Sequence, residues 1–287
     1  MKYACLLSAL LGSVLTFCSC VSLQPTPENA LGVLQEQLAN GIKWKRIHAA
    51  EALLDSQCCI AEVAQEFAAE SKLTEPDTPW RVGVMRVLMQ TNPPQRQAMA
   101  DELWQMARNP EAEGRIHAIE SLGKLKLPLQ EADSTWLQEL RNVPGMTSGY
   151  AALLLAQNGD VAARKLLAAR LTANDNTAAF AFFYLEDLSN EEKSLLVAVA
   201  DSAEATPTCR AFAFRALMRS ENYPQSRHAE MLQRIATEED AGALRFYLLT
   251  VGMFKDKSDL LMLAKYLNHR DPALKIAAAA SILAVTK

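Results

Sequence analysis

The stretch RIHAIESL, residues 115–122, has a close copy in RIHAAEAL, residues 46–53. In both, alanine follows the arginine by three residues and leucine follows it by seven, a spacing that gives a helix one apolar face. Weaker copies recur along the chain with a period of roughly 30–35 residues, which indicates a stack of structural repeats. The copies begin at Arg46, Arg81, Arg115, Gly149, Ala178, Arg210, Arg245 and Lys275.

The composition favours helices throughout. Of the 287 residues, 50% are hydrophobic but only 7% are aromatic, and Ala and Leu, which are plentiful, are strong helix formers. An amphipathic helical pattern precedes each copy of the motif, and few segments alternate as a half-buried strand would. We therefore expect eight antiparallel helix pairs within residues 28–286. The second helix of each pair is more evenly apolar and should form the more buried layer.

The charge distribution argues against two classes of partner. The formal net charge is −4, and lysines and arginines are scattered along the chain. A basic patch or stripe is what nucleic-acid binding requires, and a cluster of basic residues is what anionic membrane surfaces attract. We expect neither nucleic acid nor a membrane surface to be recognised through charge.

The first residues are typical of an export signal. Lys2 precedes an apolar run from Ala4 to Phe17, which fits the charged and apolar regions of a secretory signal over residues 1–19. The segment before Cys20 resembles a bacterial lipoprotein signal, which implies lipidation at Cys20 and a membrane anchor. Cleavage without lipid and an uncleaved anchor are the alternatives. Residues 20–27 are interpreted as a tether and residues 28–287 as the repeat domain.

The remaining cysteines do not suggest a disulfide framework. Cys58 and Cys59 are adjacent, and Cys209 lies five repeats away. Because each repeat of a stack contacts only its neighbours, we interpret all three as small buried apolar side chains rather than a metal or redox site.

Three segments support a family resemblance. DPALKIAA, residues 271–278, resembles the second helix of a HEAT repeat, as do GRIHAIESLG, residues 114–123, and DTPWRV, residues 77–82. The resemblance implies an all-α fold, a right-handed α-solenoid of about eight HEAT-like helix pairs.

HEAT-like repeats also share a ladder of acidic and basic residues between neighbours, which we expect to be structural here. Candidate rungs join Asp77 to Arg46 or Arg115, and Asp271 to Arg245. The ladder residues are Arg46, Arg81, Arg115, Arg210, Arg245, Lys275, Asp77 and Asp271.

No catalytic constellation is evident, and we expect neither an enzyme nor a cofactor. His48 and His117 occupy equivalent positions two repeats apart, which in a stack spaced by about 10 Å per repeat is too far to share a metal. The sequence also lacks zinc-binding, phosphate-binding and nucleophile-elbow motifs. We therefore expect no metal site.

A role in binding is the remaining interpretation. The chain is expected to be an exported scaffold or adaptor of the bacterial cell envelope, facing the periplasm or the outside, whose concave face binds a protein or peptide. The resemblance places second helices on that face, which makes His48, Glu51, His117, Glu120 and Arg215 candidate contacts. The alternatives are a HEAT-like lyase-type enzyme and a purely structural component of an envelope complex.

A further feature is the aromatic cluster of the degenerate fifth repeat, residues 180–184. Its four aromatic side chains cannot all face inward from one helix, so we expect a departure from regular stacking there.

Overall fold

The computed structural model describes residues 24–129 and 131–287, excepting the side chains of 131 and 132. In these ranges the chain forms sixteen α-helices and no β-strand. The helices are α1 Pro27–Asn40, α2 Trp44–Asp55, α3 Ile60–Ser71, α4 Pro79–Thr91, α5 Arg96–Arg108, α6 Arg115–Lys124, α7 Glu131–Leu140, α8 Met146–Gln157, α9 Val161–Thr172, α10 Asn176–Tyr184, α11 Asn190–Ala200, α12 Pro207–Ser220, α13 His228–Thr237, α14 Ala241–Val251, α15 Leu260–Leu267 and α16 Pro272–Thr286. The all-α prediction is confirmed.

Several helices begin at capping side chains. Asp175 accepts hydrogen bonds from the backbone N–H groups of Thr177 and Ala178, and Asp271 accepts one from Ala273. Such caps satisfy backbone donors that have no partner inside the helix. Proline follows the cap at the start of α1, α4, α12 and α16, where its missing N–H costs nothing.

The helices associate in pairs as the repeat pattern predicts. Each odd-numbered helix packs against the even-numbered helix that follows it, from α1 on α2 to α15 on α16. Every copy of the motif begins within the first five residues of an even-numbered helix. The motif therefore marks the second helix of each pair.

The even-numbered helices pack side by side in one direction. Contacts between them join residues at a nearly constant offset, such as Arg86 to Glu51 at 35 residues and Ser281 to Leu248 at 33. A constant positive offset means that neighbouring helices run parallel and in register. The order of packing is α2, α4, α6, α8, α10, α12, α14 and α16.

The first and last helix pairs meet, so the stack closes into a ring. α16 packs against α2, and α1 packs against α16 as α3 does against α2 and α5 against α4. The Lys287 ammonium also donates a hydrogen bond to the carbonyl oxygen of Ser56, at the end of α2. The repeat pattern did not predict this closure, because contacts between the first and last repeats leave no trace in a periodic sequence.

Burial differs between the two layers as expected. The outer helices bury one face; α13, for example, buries only Met231 and Ile235. The inner helices bury more of their residues, and α16 has nine buried positions, from Leu274 to Val285. The large exposed apolar side chains of the outer layer, such as Leu261 and Val161, are separated along the chain.

The charged ladder differs from the expected rungs. Asp77 has a positive φ of 59° and Thr78 caps α4 in its place, while the Asp77 carbonyl accepts a hydrogen bond from the N–H of Gly114. Within the described residues the Asp77 carboxylate forms no ion pair with Arg46 or Arg115. Asp271 interacts electrostatically with Arg245 but does not pair with it.

The arginines instead bond to the outer helix of the next pair or to a nearby carbonyl. Arg46 pairs with Glu66 and Glu70 of α3, and Arg81 binds Glu102 of α5 through two nitrogens. Arg115 and Arg210 donate to the carbonyls of Ala107 and Ala205. No ion pair involves Lys275 within the described residues.

The export signal and Cys20 lie outside the described residues, whereas Pro27, the last residue of the expected tether, is the first residue of α1. Cys58, Cys59 and Cys209 are free thiols. Within the described ranges, every helix is too short or too polar to cross a membrane.

Candidate functional site

The ring encloses a space, here called the ring interior, that is bounded by the eight even-numbered helices. Helices spaced by about 8–10 Å would place eight axes about 10–13 Å from the centre of a regular ring. Long side chains can bridge much of that distance. Contacts that skip a helix show that they do: the Trp44 ring lies 5.1 Å from the His117 ring, and the Lys124 ammonium lies 5.3 Å from the Phe180 ring.

One side of the interior is a network of paired charges on α2, α4 and α6. Arg86 Nε donates to Glu51 Oε1 at 2.6 Å, and its Nη1 donates to Ser121 Oγ at 3.3 Å. His48 Nδ1 lies 3.3 Å from the other oxygen of Glu51. The Arg86 side chain is 3% exposed, so its charge depends on these partners for compensation.

The network repeats one motif on α6. His117 Nδ1 lies 3.4 Å from Glu120 Oε2, as His48 lies beside Glu51, and Lys124 Nζ lies 2.6 Å from Glu120 Oε1. We call the five residues His48, Glu51, Arg86, Glu120 and Lys124 the paired wall.

The carboxylates of the paired wall are held ionised. Burial by itself would raise the pKa of Glu120, but the Lys124 ammonium and the His117 hydrogen bond outweigh it and lower that pKa to about 2. Burial opposes ionisation of Glu51 as well, yet the Arg86 guanidinium holds the pKa of Glu51 well below its usual range. Burial also lowers the pKa of His48, and Arg245 and Arg86 act in the same direction.

The other side of the interior is aromatic. Tyr150 of α8, Phe180 of α10, Phe212 of α12 and Phe246 of α14 form a continuous series, with ring centroids 5.4, 5.4 and 4.2 Å apart. The rings lie on four consecutive even-numbered helices, so the series follows the curve of the ring. Phe212 and Phe246 are only partly buried, which leaves apolar surface facing the interior.

Two arginines lie among these rings without a carboxylate partner. The Arg215 guanidinium carbon lies 4.3 Å from the Phe183 ring centre and 5.9 Å from that of Phe246, and Arg245 lies 5.5 Å from the same Phe246 ring. Within the described residues neither guanidinium makes a hydrogen bond or an ion pair. We call Phe183, Arg215, Arg245 and Phe246, together with Tyr150, Phe180 and Phe212, the aromatic wall.

The positive charges of Arg215 and Arg245 repel each other. Burial lowers the pKa of Arg215, with a further contribution from Arg219. Burial and then repulsion by Arg215 lower the pKa of Arg245. Glu51 and Asp55 attract these guanidiniums across the interior but do not pair with them. The aromatic wall therefore carries cationic N–H groups that no protein acceptor satisfies.

A cavity of about 430 Å³ adjoins the aromatic wall at the carboxyl ends of α10 and α12. Phe183 and Arg219 line it, together with Glu186 and Lys193. A smaller cavity of about 130 Å³ lies beside it and is lined by Tyr184, Gln157 and again Glu186. Glu186 forms an ion pair with Lys126 between the two. Phe183 of the aromatic wall therefore lines a cavity at the mouth of the ring where the carboxyl ends of the inner helices lie.

The five residues expected on the concave face divide between the two walls. His48, Glu51, His117 and Glu120 belong to the network of paired charges, and Arg215 belongs to the aromatic wall. The expected distance between His48 and His117 assumed a straight stack of repeats. In the ring, Trp44, one turn before His48, contacts the His117 ring. Gly83 permits this approach, because a Cβ there would lie 3.1 Å from Trp44 Cζ3.

Sequence reasoning missed Arg86 and assigned Arg245 to the structural ladder. The register of the repeats could have found Arg86, because it follows Glu51 by 35 residues and so occupies the equivalent position of the next helix. The aromatic cluster at 180–184 is expected to depart from regular stacking. The structure buries Phe180 and Phe182 and half-buries Phe183 and Tyr184, because the ring interior covers the inner face of α10.

The interior offers binding groups of two kinds, aromatic faces and guanidinium donors. Among the described residues, no cluster of three or more His, Cys, Asp or Glu side chains is arranged to hold a metal ion. Compared with known proteins, the chain matches no family model, and neither a curated protein nor a solved structure shows significant similarity to it.

Proposed function

We propose that this chain is a non-catalytic, HEAT-like repeat protein of the bacterial cell envelope that binds a protein or peptide partner through its ring interior. The observation that carries the proposal is the aromatic wall, where Phe212 and Phe246 remain partly exposed beside two guanidiniums. Aromatic and arginine side chains dominate the energetics of protein interfaces.

Closure of the ring limits the form of the partner. A folded domain is wider than the space that eight helices enclose at ordinary packing distances. A single extended segment or a chain terminus is narrow enough to enter beside Phe183 and Arg219, where the larger cavity lies. The partner is therefore an exported protein that presents such a segment.

The export route belongs to the same proposal. Residues 1–19 would direct export and be removed, and lipidation at Cys20 would anchor the ring to a membrane by its new amino terminus. The helix pairs of the ring would follow a right-handed arrangement. Mass spectrometry of the mature protein tests the anchor: an acylated Cys20 at the amino terminus is expected, and a mature chain that begins after Cys20 without lipid contradicts it.

Site-specific photocrosslinking tests the binding surface. A photoreactive phenylalanine analogue is placed at Phe183 in the interior or, as a matched control, at Leu261 on outer helix α15, which is 76% exposed. Cells that produce the full chain are irradiated. We expect a defined protein adduct from position 183 and none from position 261. An adduct from position 261 alone would assign the partner to the outer surface, as in a structural component of a complex, and no adduct from either would contradict the proposal.

A further inference from the structure

We infer that the segment bound inside the ring is acidic, and that Arg215 and Arg245 bind its carboxylates while its apolar side chains pack on the aromatic wall. This inference rests on the proposed function and adds the chemistry of the partner. The distinguishing observation is that two guanidiniums lie on one side of the interior without a protein acceptor, on either side of a shared Phe246 contact.

The paired wall contains a structural arginine at the repeat position that Arg215 occupies on the aromatic wall. Arg86 occupies the equivalent repeat position on α4 and is bonded to Glu51 at 2.6 Å and to Ser121. Arg215 has Phe183 below it at 4.3 Å and only longer-range attraction from Asp55. A guanidinium presents its donors in the plane of the group, so stacking on an aromatic ring leaves those donors free for a ligand.

The neighbourhood selects an anion. A second guanidinium nearby makes it less favourable for the first to stay charged, since like charges repel in a space of low dielectric. An oxyanion between them would remove that repulsion and accept the free N–H groups in the fork geometry that suits carboxylates. Arg219 adds a third positive charge at the mouth, where it donates to the carbonyl of Phe183 and lines the larger cavity.

The aromatic series selects a peptide rather than a small ion. Tyr150, Phe180, Phe212 and Phe246 extend over four consecutive inner helices. Such a surface is much longer than a free phosphate or carboxylate needs, and it can pack the apolar side chains of an extended segment. The expected ligand alternates acidic and apolar residues.

The test measures binding of the peptide acetyl-Glu-Phe-Glu-Phe-Glu-amide to the full chain in detergent by titration calorimetry. The same peptide with glutamine in place of glutamate isolates the carboxylates. We expect the glutamine peptide to bind at least about tenfold more weakly, since a charge-assisted hydrogen bond contributes more than 1.4 kcal/mol. Equal binding of the two peptides would overturn the inference, and so would inorganic phosphate that binds as tightly as the acidic peptide.

Variants locate the site. The double substitution Arg215→Met and Arg245→Met should reduce binding of the acidic peptide at least about tenfold, to the level of the glutamine peptide. The pair Arg215→Lys and Arg245→Lys keeps the charges but loses the fork and should bind at an intermediate level. Arg96→Met removes an exposed charge on α5 and should change nothing. Unchanged binding in the double Met variant would overturn the inference.

Failure of this inference and failure of the proposed function give different results. If the double Met variant still forms the adduct from position 183, the ring interior binds a partner but not through these arginines. If the chain that carries the analogue at position 183 and retains both arginines forms no adduct, the assignment of the binding surface itself is wrong.

Discussion

Arg86 of the paired wall and Arg215 of the aromatic wall occupy equivalent repeat positions, but the two walls compensate their charges in opposite ways. On α4, Arg86 is almost inaccessible and is neutralised by Glu51. On α12 and α14, Arg215 and Arg245 lie against phenylalanine rings and have no acceptor within the described residues. Removal of one member of a buried ion pair is strongly destabilising, whereas an unpaired buried charge contributes no such stability. The first wall therefore holds the ring together, and the second remains available to a ligand.

The largest effect expected from this comparison is at Arg86. The substitution Arg86→Met leaves Glu51 without its guanidinium partner inside the ring, and we expect the free energy of unfolding to fall by about 3 kcal/mol. Urea denaturation followed by circular dichroism measures the change. Arg96→Met, at an exposed position, is the control and should stay within about 0.5 kcal/mol of wild type. A loss below about 1 kcal/mol for Arg86→Met would mean that the paired wall is not structural.

The next effect concerns pH. The folded pKa of Glu120 is about 2, below its ordinary value of 4.5, so ionised Glu120 stabilises the fold above about pH 4.5 and that contribution is lost as the pH falls toward 2. Glu120→Gln should be less stable than wild type by about 2 kcal/mol at neutral pH and should approach it in acid.

The measurement is the free energy of unfolding at several pH values between about 7 and 3. The exposed Glu36 provides the matched control, since Glu36→Gln removes a carboxylate that forms no ion pair within the described residues. Parallel pH curves for Glu120→Gln and wild type would contradict the assignment of Glu120 to the paired wall.

The features behind these predictions differ in how well they can be predicted from the sequence. Repeat periodicity was sufficient to predict sixteen helices, their pairing and the buried inner layer, because an apolar stripe at helical spacing has few other solutions. The Asp271 cap and the following Pro272 are an example of a local signature, because both residues adjoin the start of α16. Such features depend on residues close together in the chain.

The charge pairing and the ring closure could not be predicted in the same way. Glu51 and Arg86 are 35 residues apart, and their contact follows only if the register of two parallel helices is known. The bond from Lys287 to Ser56 spans the whole domain. Curvature is the sum of small rotations between repeats, so whether the first and last repeats meet is not encoded in any one motif.

A smaller effect is expected at Gly83, where α4 lets Trp44 reach across to His117. A Cβ at this position would lie 2.5 Å from Ile47 Cδ1 and 3.1 Å from Trp44 Cζ3. We expect Gly83→Ala to cost about 1 kcal/mol by overpacking and to change the tryptophan fluorescence. The matched control is Gly32, an exposed residue of α1 where a Cβ would have no atom within 4 Å. Gly32→Ala should raise the free energy of unfolding by about 0.5–1 kcal/mol. A gain at both positions would mean that α2 and α6 do not approach over Gly83.

The smallest effect is expected at Arg215. Arg215→Met keeps an apolar side chain beside Phe183 while removing a half-buried charge that has no acceptor within the described residues, so we expect the free energy of unfolding to stay within about 0.5 kcal/mol of wild type or to rise. The loss of a cation–π contact, about 0.5–1 kcal/mol at a partly exposed site, offsets part of that gain.

The division between the two walls is tested most directly by the free energies of unfolding of Arg86→Met and Arg215→Met, measured side by side in one buffer without added peptide. We expect Arg86→Met to lose about 3 kcal/mol and Arg215→Met to lose almost nothing. Equal losses in the two variants would show that Arg215 supports the fold as Arg86 does. That result would contradict the assignment of the aromatic wall as a binding surface.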